Sequence, residues 1–203
     1  LINVKKEPFM RKSFGAKTLV FATPVWVVAT FDKNNRPNAA TVAWGGVCSS
    51  KPPSVAVSLR KSRYTYENIL HRKAFTVNVP SAEQVKIADY CGIVSGKNED
   101  KFGGAGITAV KSDIVDAPYI QEFPMTLECK LTGMMEIGIH THFIGEIIDV
   151  KVDEKMLTDD GLPDILKISP IIYGPEIQAY YGVGKYLGKA FSVGKEMSSR
   201  VKK

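Results

Sequence analysis

The sequence has few of the residues that build covalent or metal scaffolds, with three cysteines (Cys48, Cys91, Cys129) and three histidines (His71, His140, His142) among 203 residues. An odd set of widely spaced cysteines makes neither a disulfide framework nor a zinc site. Reduced thiols in a cytoplasmic setting are the expectation. Long uncharged runs are also missing. The longest stretches free of Asp, Glu, Lys and Arg, 18–31 and 37–50, hold fourteen residues each, short of the roughly 20 a spanning helix needs. Pro24 and Gly45–Gly46 fall inside them and would damage such helices. No apolar run and cleavage pattern accompany Lys5, Lys6, Arg11 and Lys12, so neither a secretory signal nor a membrane partner is expected. No G-x-S-x-G elbow occurs, which leaves hydrolase chemistry without its usual nucleophile.

Charge is present, and unevenly placed. The chain carries 27 Lys and Arg against 21 Asp and Glu, a net +6. Residues 1–17 hold +4, residues 60–73 another +4 and residues 185–203 hold +5, so the remainder sums to −7. The excess is therefore local.

Strand signals dominate the pattern. Segments 25–31 and 39–47 flank the turn-forming run 32–38, which predicts a hairpin. Segments 54–59, 74–79, 125–131, 142–152 and 168–173 add further strands. A helix is expected near 65–72, and the capping box Ser81-Ala-Glu-Gln84 opens another, with Gly92 as its stop. Strands mostly closer together than βαβ crossovers allow argue for an antiparallel barrel with a few helices. One domain over 1–203 is expected, with a basic N-terminal segment and a C-terminal arm from about residue 182.

Two glycine series fail as nucleotide motifs. Gly92-Ile-Val-Ser-Gly96-Lys97-Asn98 has three residues between its glycines rather than four, follows a helix, and offers Asn98 where a P-loop has Ser or Thr. Gly182-Val-Gly184-Lys-Tyr-Leu-Gly188 is one residue too long for the dinucleotide fingerprint. His140 and His142 share one strand face, but nothing nearby completes a metal site, so no metal is expected.

Segment 58–68, Ser-Leu-Arg-Lys-Ser-Arg-Tyr-Thr-Tyr-Glu-Asn, is more specific. An apolar strand gives way to basic residues and hydroxyls that lead into a helix. Free backbone N–H groups at a helix start suit a phosphate, with Arg60 adding a forked donor and Thr65 a hydroxyl. The competing reading is a capped surface helix with solvated charges. Upstream, Thr41-Val-Ala-Trp44-Gly45-Gly46 sets small residues beside an aromatic, which lets a flat ring approach the backbone.

These pieces, with Phe75-Thr-Val-Asn78-Val-Pro80, Ala88-Asp89-Tyr90, Asp100-Lys101-Phe102, Ala117-Pro118-Tyr119, Leu127-Glu128-Cys129, His140-Thr-His142-Phe143-Ile144-Gly145-Glu146 and Tyr180-Tyr181-Gly182, stand in one order from about residue 18 to 194. The ordered set resembles the flavin reductase-like family with its FMN-binding split barrel, and within it the flavoredoxin branch. The resemblance implies a homodimeric oxidoreductase or electron carrier that binds FMN and takes electrons from NAD(P)H or a redox-protein partner. It places Asn38 and the backbone of Thr41, Val42, Ala43 and Trp44 against the isoalloxazine. It places Arg60, Thr65, Ser58 and Asn68 at the ribityl phosphate, with Lys101, His140 and Tyr173 completing the pocket. A cation or strong hydrogen-bond donor at Lys101 or His140 would favour the reduced ring. No catalytic side chain is then required, because the flavin carries the electrons. The rival reading is a basic nucleic-acid-binding barrel, which would need aromatic platforms interleaved with Lys and Arg.

Overall fold

The computed structural model describes residues 10–198. A short strand β1 (Thr23–Pro24) leads into β2 (Trp26–Phe31), β3 (Pro37–Val42), β4 (Gly45–Ser50), β5 (Pro53–Arg60), helix α1 (Tyr64–Arg72) and β6 (Ala74–Val79). Next come α2 (Val85–Ile93), α3 (Lys101–Ala105), a small hairpin β7 (Ala109–Lys111) and β8 (Pro118–Ile120), and the long pair β9 (Met125–Ile137) and β10 (His140–Val152). Helix α4 (Ile165–Ile168) precedes β11 (Ile171–Gly174) and β12 (Ala179–Gly182).

The first hairpin follows its sequence. Asp32 Oδ1 accepts from the backbone N–H of Asn34 at 2.8 Å and of Arg36 at 2.9 Å, and Asn35 takes the left-handed conformation that asparagine tolerates. Trp26 then stands opposite Val42, and Phe31 opposite Pro37.

Seven strands form one antiparallel sheet in the order β3-β2-β6-β9-β10-β5-β4. Its two edges, β3 and β4, are joined by Ala43 and Trp44 alone. A connection from Val42 to Gly45 spans at most about 11 Å. The sheet must therefore curl until its edges meet, and the result is a split barrel. Its interior holds Val55, Val57, Leu59, Phe75, Val77, Cys129 and Phe143. The other face of β2 and β3 is covered by α2 and α3 through Ala88, Cys91 and Phe102. At a register shift in β10, a Cβ on Gly145 would lie 2.5 Å from the Phe75 ring. Glycine there lets the ring fill the barrel.

The structure corrects several sequence expectations. Segment 39–47 is not one strand; the chain leaves β3 at Val42 and restarts at Gly45. The expected strand 125–131 continues to Ile137, and the expected 142–152 begins at His140. The Ser81–Gln84 capping box forms, but α2 runs through Gly92 to Ile93. Segment 168–173 divides between the end of α4 and β11. Helix α3 was not expected; Asp100 caps it by accepting from Phe102 N and Gly103 N. Beyond β12 the described residues are mostly exposed; the rest of the expected basic arms, residues 1–9 and 199–203, lies outside the described residues.

Candidate functional site

A cavity of about 400 Å³ opens where the barrel edges meet. Thr41, Val42, Ala43 and Trp44 line it along the seam, Ser58 and Arg60 from β5, and His140 from β10. Tyr173, Tyr180, Asp89 and Gly92 complete the wall. Strand register explains the grouping. His140 lies opposite Arg60 and His142 opposite Ser58, so alternate side chains of β5 and β10 share the face away from the barrel core. Ser58 N also donates to Trp44 O at 2.8 Å, which ties the seam to β5.

The electrostatics of this wall come from few groups. Burial, and then the positive charge of Arg60, hold the His140 pKa below its ordinary value. His140 is therefore neutral near pH 7, where it can act as a hydrogen-bond donor, and Arg60 and Arg63 are the cations on this wall. Ser58 Oγ and His142 Nδ1 are 2.8 Å apart. Tyr180 donates its hydroxyl to Asp89 Oδ1 at 2.8 Å, and burial followed by this bond raises the Tyr180 pKa. The Tyr173 and Tyr180 rings lie 5.7 Å apart between centroids.

A smaller cavity of about 180 Å³ adjoins the first, and Thr41, Leu59, Arg63 and Gly92 line both. Its other walls include Ser62 and Thr65 at the start of α1, Ser95 and Gly96 beyond α2, and Lys101. Arg63 is the N-cap of α1, and no side chain caps that end. Tyr66 N is bonded to Arg63 O, which leaves the N–H groups of Tyr64 and Thr65 and the positive end of the helix for an anion. Asn38 Nδ2 donates to Thr65 Oγ1 at 2.8 Å, while the buried Asn38 Oδ1 has no hydrogen-bond partner.

Lys101 is buried, and its Nζ donates to Ala39 O and Cys91 O, each at 2.7 Å. Burial lowers its pKa to about 8, with a further push from Arg63. One of its three N–H groups is left over for the smaller cavity. Hydroxyls, a guanidinium, an ammonium and a helix start all donate. That donor set fits a phosphate dianion, and the larger, aromatic compartment fits a planar ring.

Each expected residue now has a place. Thr41, Val42, Ala43, Trp44, Ser58, Arg60, His140 and Tyr173 line the larger cavity, so Ser58 and Arg60 do not share a pocket with Thr65 as expected. Thr65 and Lys101 line the smaller one, which separates Lys101 from His140 rather than pairing them. Asn38 stands behind Thr65, bonded to it. Asn68 lines neither cavity; it is buried and donates to Thr30 Oγ1 at 3.2 Å. The Thr41 hydroxyl is spent on Ala88 O. Gly45 also changes meaning. A Cβ there would meet the Trp26 ring at 2.6 Å, so this glycine serves barrel packing.

Sequence reasoning missed Ser62, Arg63, Asp89, Ser95, Gly96 and Tyr180. Segment 92–96, rejected as a P-loop, forms a wall of the smaller cavity by another route. The signal available for Arg63 was its position directly before the helix. The rival nucleic-acid reading needs exposed aromatic platforms, whereas Phe75 is fully buried and Trp44 lines the cavity.

The sequence family described as "Flavin reductase like domain" matches residues 18–174. Among solved structures, the flavoredoxin of Desulfovibrio vulgaris (Miyazaki F) is 56% identical with a TM-score of 0.88, covering 91% of this chain and 100% of that one. The flavoredoxin from Methanosarcina acetivorans is 30% identical with a TM-score of 0.84, covering 94% and 100%. A high molecular weight rubredoxin of Moorella thermoacetica is 26% identical over 171 residues, covering 83% of this chain and 68% of that protein. With this match over the strands that form the barrel and both compartments, the chain belongs to the flavin reductase-like family, and its function is flavin-based redox chemistry.

Proposed function

We propose that the chain binds FMN, with the phosphate in the smaller compartment and the ring system in the larger, and passes electrons from NAD(P)H or a redox-protein donor to an acceptor. The observation that carries this reading is the shared wall between a donor-rich pocket and an aromatic one. When bound, the flavin supplies reversible electron transfer. Thr65, Ser62, Ser95 and the start of α1 hold the phosphate, and Arg63, which lines both pockets, stands at the passage between them. Trp44 and Tyr173 pack beside the ring. Arg60 favours negative charge on it, because a nearby cation stabilises the anionic form.

Two further features support finer parts of the reading. Met134, Met135, Ile137 and Ile139 at the tip of the β9–β10 hairpin are exposed, and Phe191 beyond β12 is 99% exposed. An apolar tip and tail of this kind suit a second copy of the chain, and thus a homodimer. The relative named as a rubredoxin favours a small redox protein as electron partner. No helix among the described residues is long and apolar enough to cross a membrane, and the free cysteines accord with a cytoplasmic setting.

The test is spectroscopic. Purified protein is expected to carry flavin absorption bands or to quench the fluorescence of added FMN, and the bands bleach on anaerobic addition of NADH or NADPH. Colourless protein that leaves FMN fluorescence unchanged overturns the reading; bands that bleach only with dithionite or a reduced redox protein move the donor from nicotinamide to protein.

A further inference from the structure

The Ser58–His142 pair has no part in the scheme above. Ser58 lines the larger cavity, and behind it His142 Nδ1 lies 2.8 Å from Ser58 Oγ. The two residues are register partners on β5 and β10, so the contact is held by the sheet and not by a loop. Arg60 and its partner His140 are the titratable groups next along the same face, while Met135 stands opposite His142 on β9 and Ile144 follows on β10.

We infer that His142 is a positioning residue that sets which way the Ser58 hydroxyl presents itself to the bound ring. The inference rests on the FMN reading. A neutral imidazole has one N–H and one bare nitrogen. With the hydrogen on Nε2, Nδ1 accepts from the Ser58 hydroxyl, and the Ser58 lone pairs face the cavity. With the hydrogen on Nδ1, that N–H donates to Ser58 Oγ, and the Ser58 O–H turns into the cavity. Exchange between the two costs no net charge, since one proton leaves Nε2 for water as another arrives at Nδ1.

That reversal matches what a flavin asks of its surroundings. A ring nitrogen that accepts a hydrogen bond when oxidised becomes an N–H donor after two electrons and a proton arrive together as hydride from the donor, which is left oxidised. Ser58 alone could rotate, but His142 gives the hydroxyl a fixed partner in either sense. The pair thereby offers a donor to the oxidised ring and an acceptor to the reduced one.

The experiment uses the full chain labelled with ¹⁵N-histidine and loaded with FMN, oxidised and then reduced with dithionite. The His142 Nδ1 resonance is expected to move from the N–H type to the bare-nitrogen type on reduction, and Ser58→Ala to abolish the movement. A resonance that stays put overturns the inference. In parallel, His142→Leu is expected to change the ratio of oxidised to reduced FMN affinities by about tenfold, or about 30 mV in a two-electron midpoint potential. His142→Asn, whose amide offers both a donor and an acceptor, restores most of it. Equal potentials in wild type and His142→Leu speak against the inference. If the protein fails to quench FMN fluorescence, the FMN reading falls and this one with it; if FMN binds while potential and resonance are unmoved, only this one falls.

Discussion

The two compartments differ in what they are made of. The smaller is weighted toward fixed donors, the open end of α1 and the buried ammonium of Lys101, with the hydroxyls of Ser62, Thr65 and Ser95 beside them. The larger is built from the ring faces of Trp44, Tyr173 and Tyr180, with Ser58 and His140, which can be either donor or acceptor, and the guanidinium of Arg60. A pocket of fixed polarity is suited to holding one unchanging charge. A pocket of reversible polarity is suited to a partner whose hydrogen-bonding character alternates. With FMN seated as proposed, anchoring and redox tuning would fall on opposite sides of a single shared wall, and substitutions on either side should separate affinity from potential.

The largest effect is expected from Lys101→Met. It leaves Ala39 O and Cys91 O buried without their donor, a loss of about 3 kcal/mol in urea unfolding. The same pair of proteins tests the buried ammonium. Lys101 has a folded pKa of about 8 against an ordinary 10.5, so between those values the unfolded chain binds the extra proton. Wild-type stability should therefore rise with pH across that window, by at most about 1.4 kcal/mol per unit, and Lys101→Met should lack the slope. A flat difference would mean that burial leaves the Lys101 ammonium in its ordinary range.

Arg63→Ala comes next. Losing a charge-assisted bond costs about 2 kcal/mol, so FMN affinity should fall roughly thirtyfold in a fluorescence titration while the midpoint potential hardly moves. A large shift in potential would erase the division between the pockets. The smallest effect is expected from Tyr180→Phe, which removes the bond to Asp89. It should cost about 1 kcal/mol of stability and change the rate of reduction by NADH more than FMN affinity. Equal losses in both would place Tyr180 with the anchor.

The hairpin around Asp32, the short helix α1 and the Ser81 capping box were legible in the sequence because each is set by neighbours within a few residues. The larger cavity was legible in part, through Trp44 and the Ser58–Arg60 run on a recognisable strand. Two things were hidden. The break at Ala43–Trp44 has no local signal, because it arises from joining the sheet's two edges. The end of β9 and the start of β10 were hidden as well, since Gly133, Met134 and Gly138 interrupt the strand pattern there. The smaller cavity joins segments 62–65 and 92–96, which no spacing rule relates. Lys101 entered the pocket only through the family resemblance, because its two carbonyl partners lie 62 and 10 residues away.

The two-residue link between β3 and β4 has a mechanical consequence. Every other pair of neighbouring strands in the barrel is stitched by a ladder, whereas these edges are held by the link and by what packs across it. The barrel thus has a weak line, and the larger cavity lies along it. Local opening favours regions with few paired backbone groups, so opening along this line would be the way in and out for a ligand. A ligand seated there acts as a clasp: it closes the one line the ladders leave open, and the barrel and its cargo come apart together.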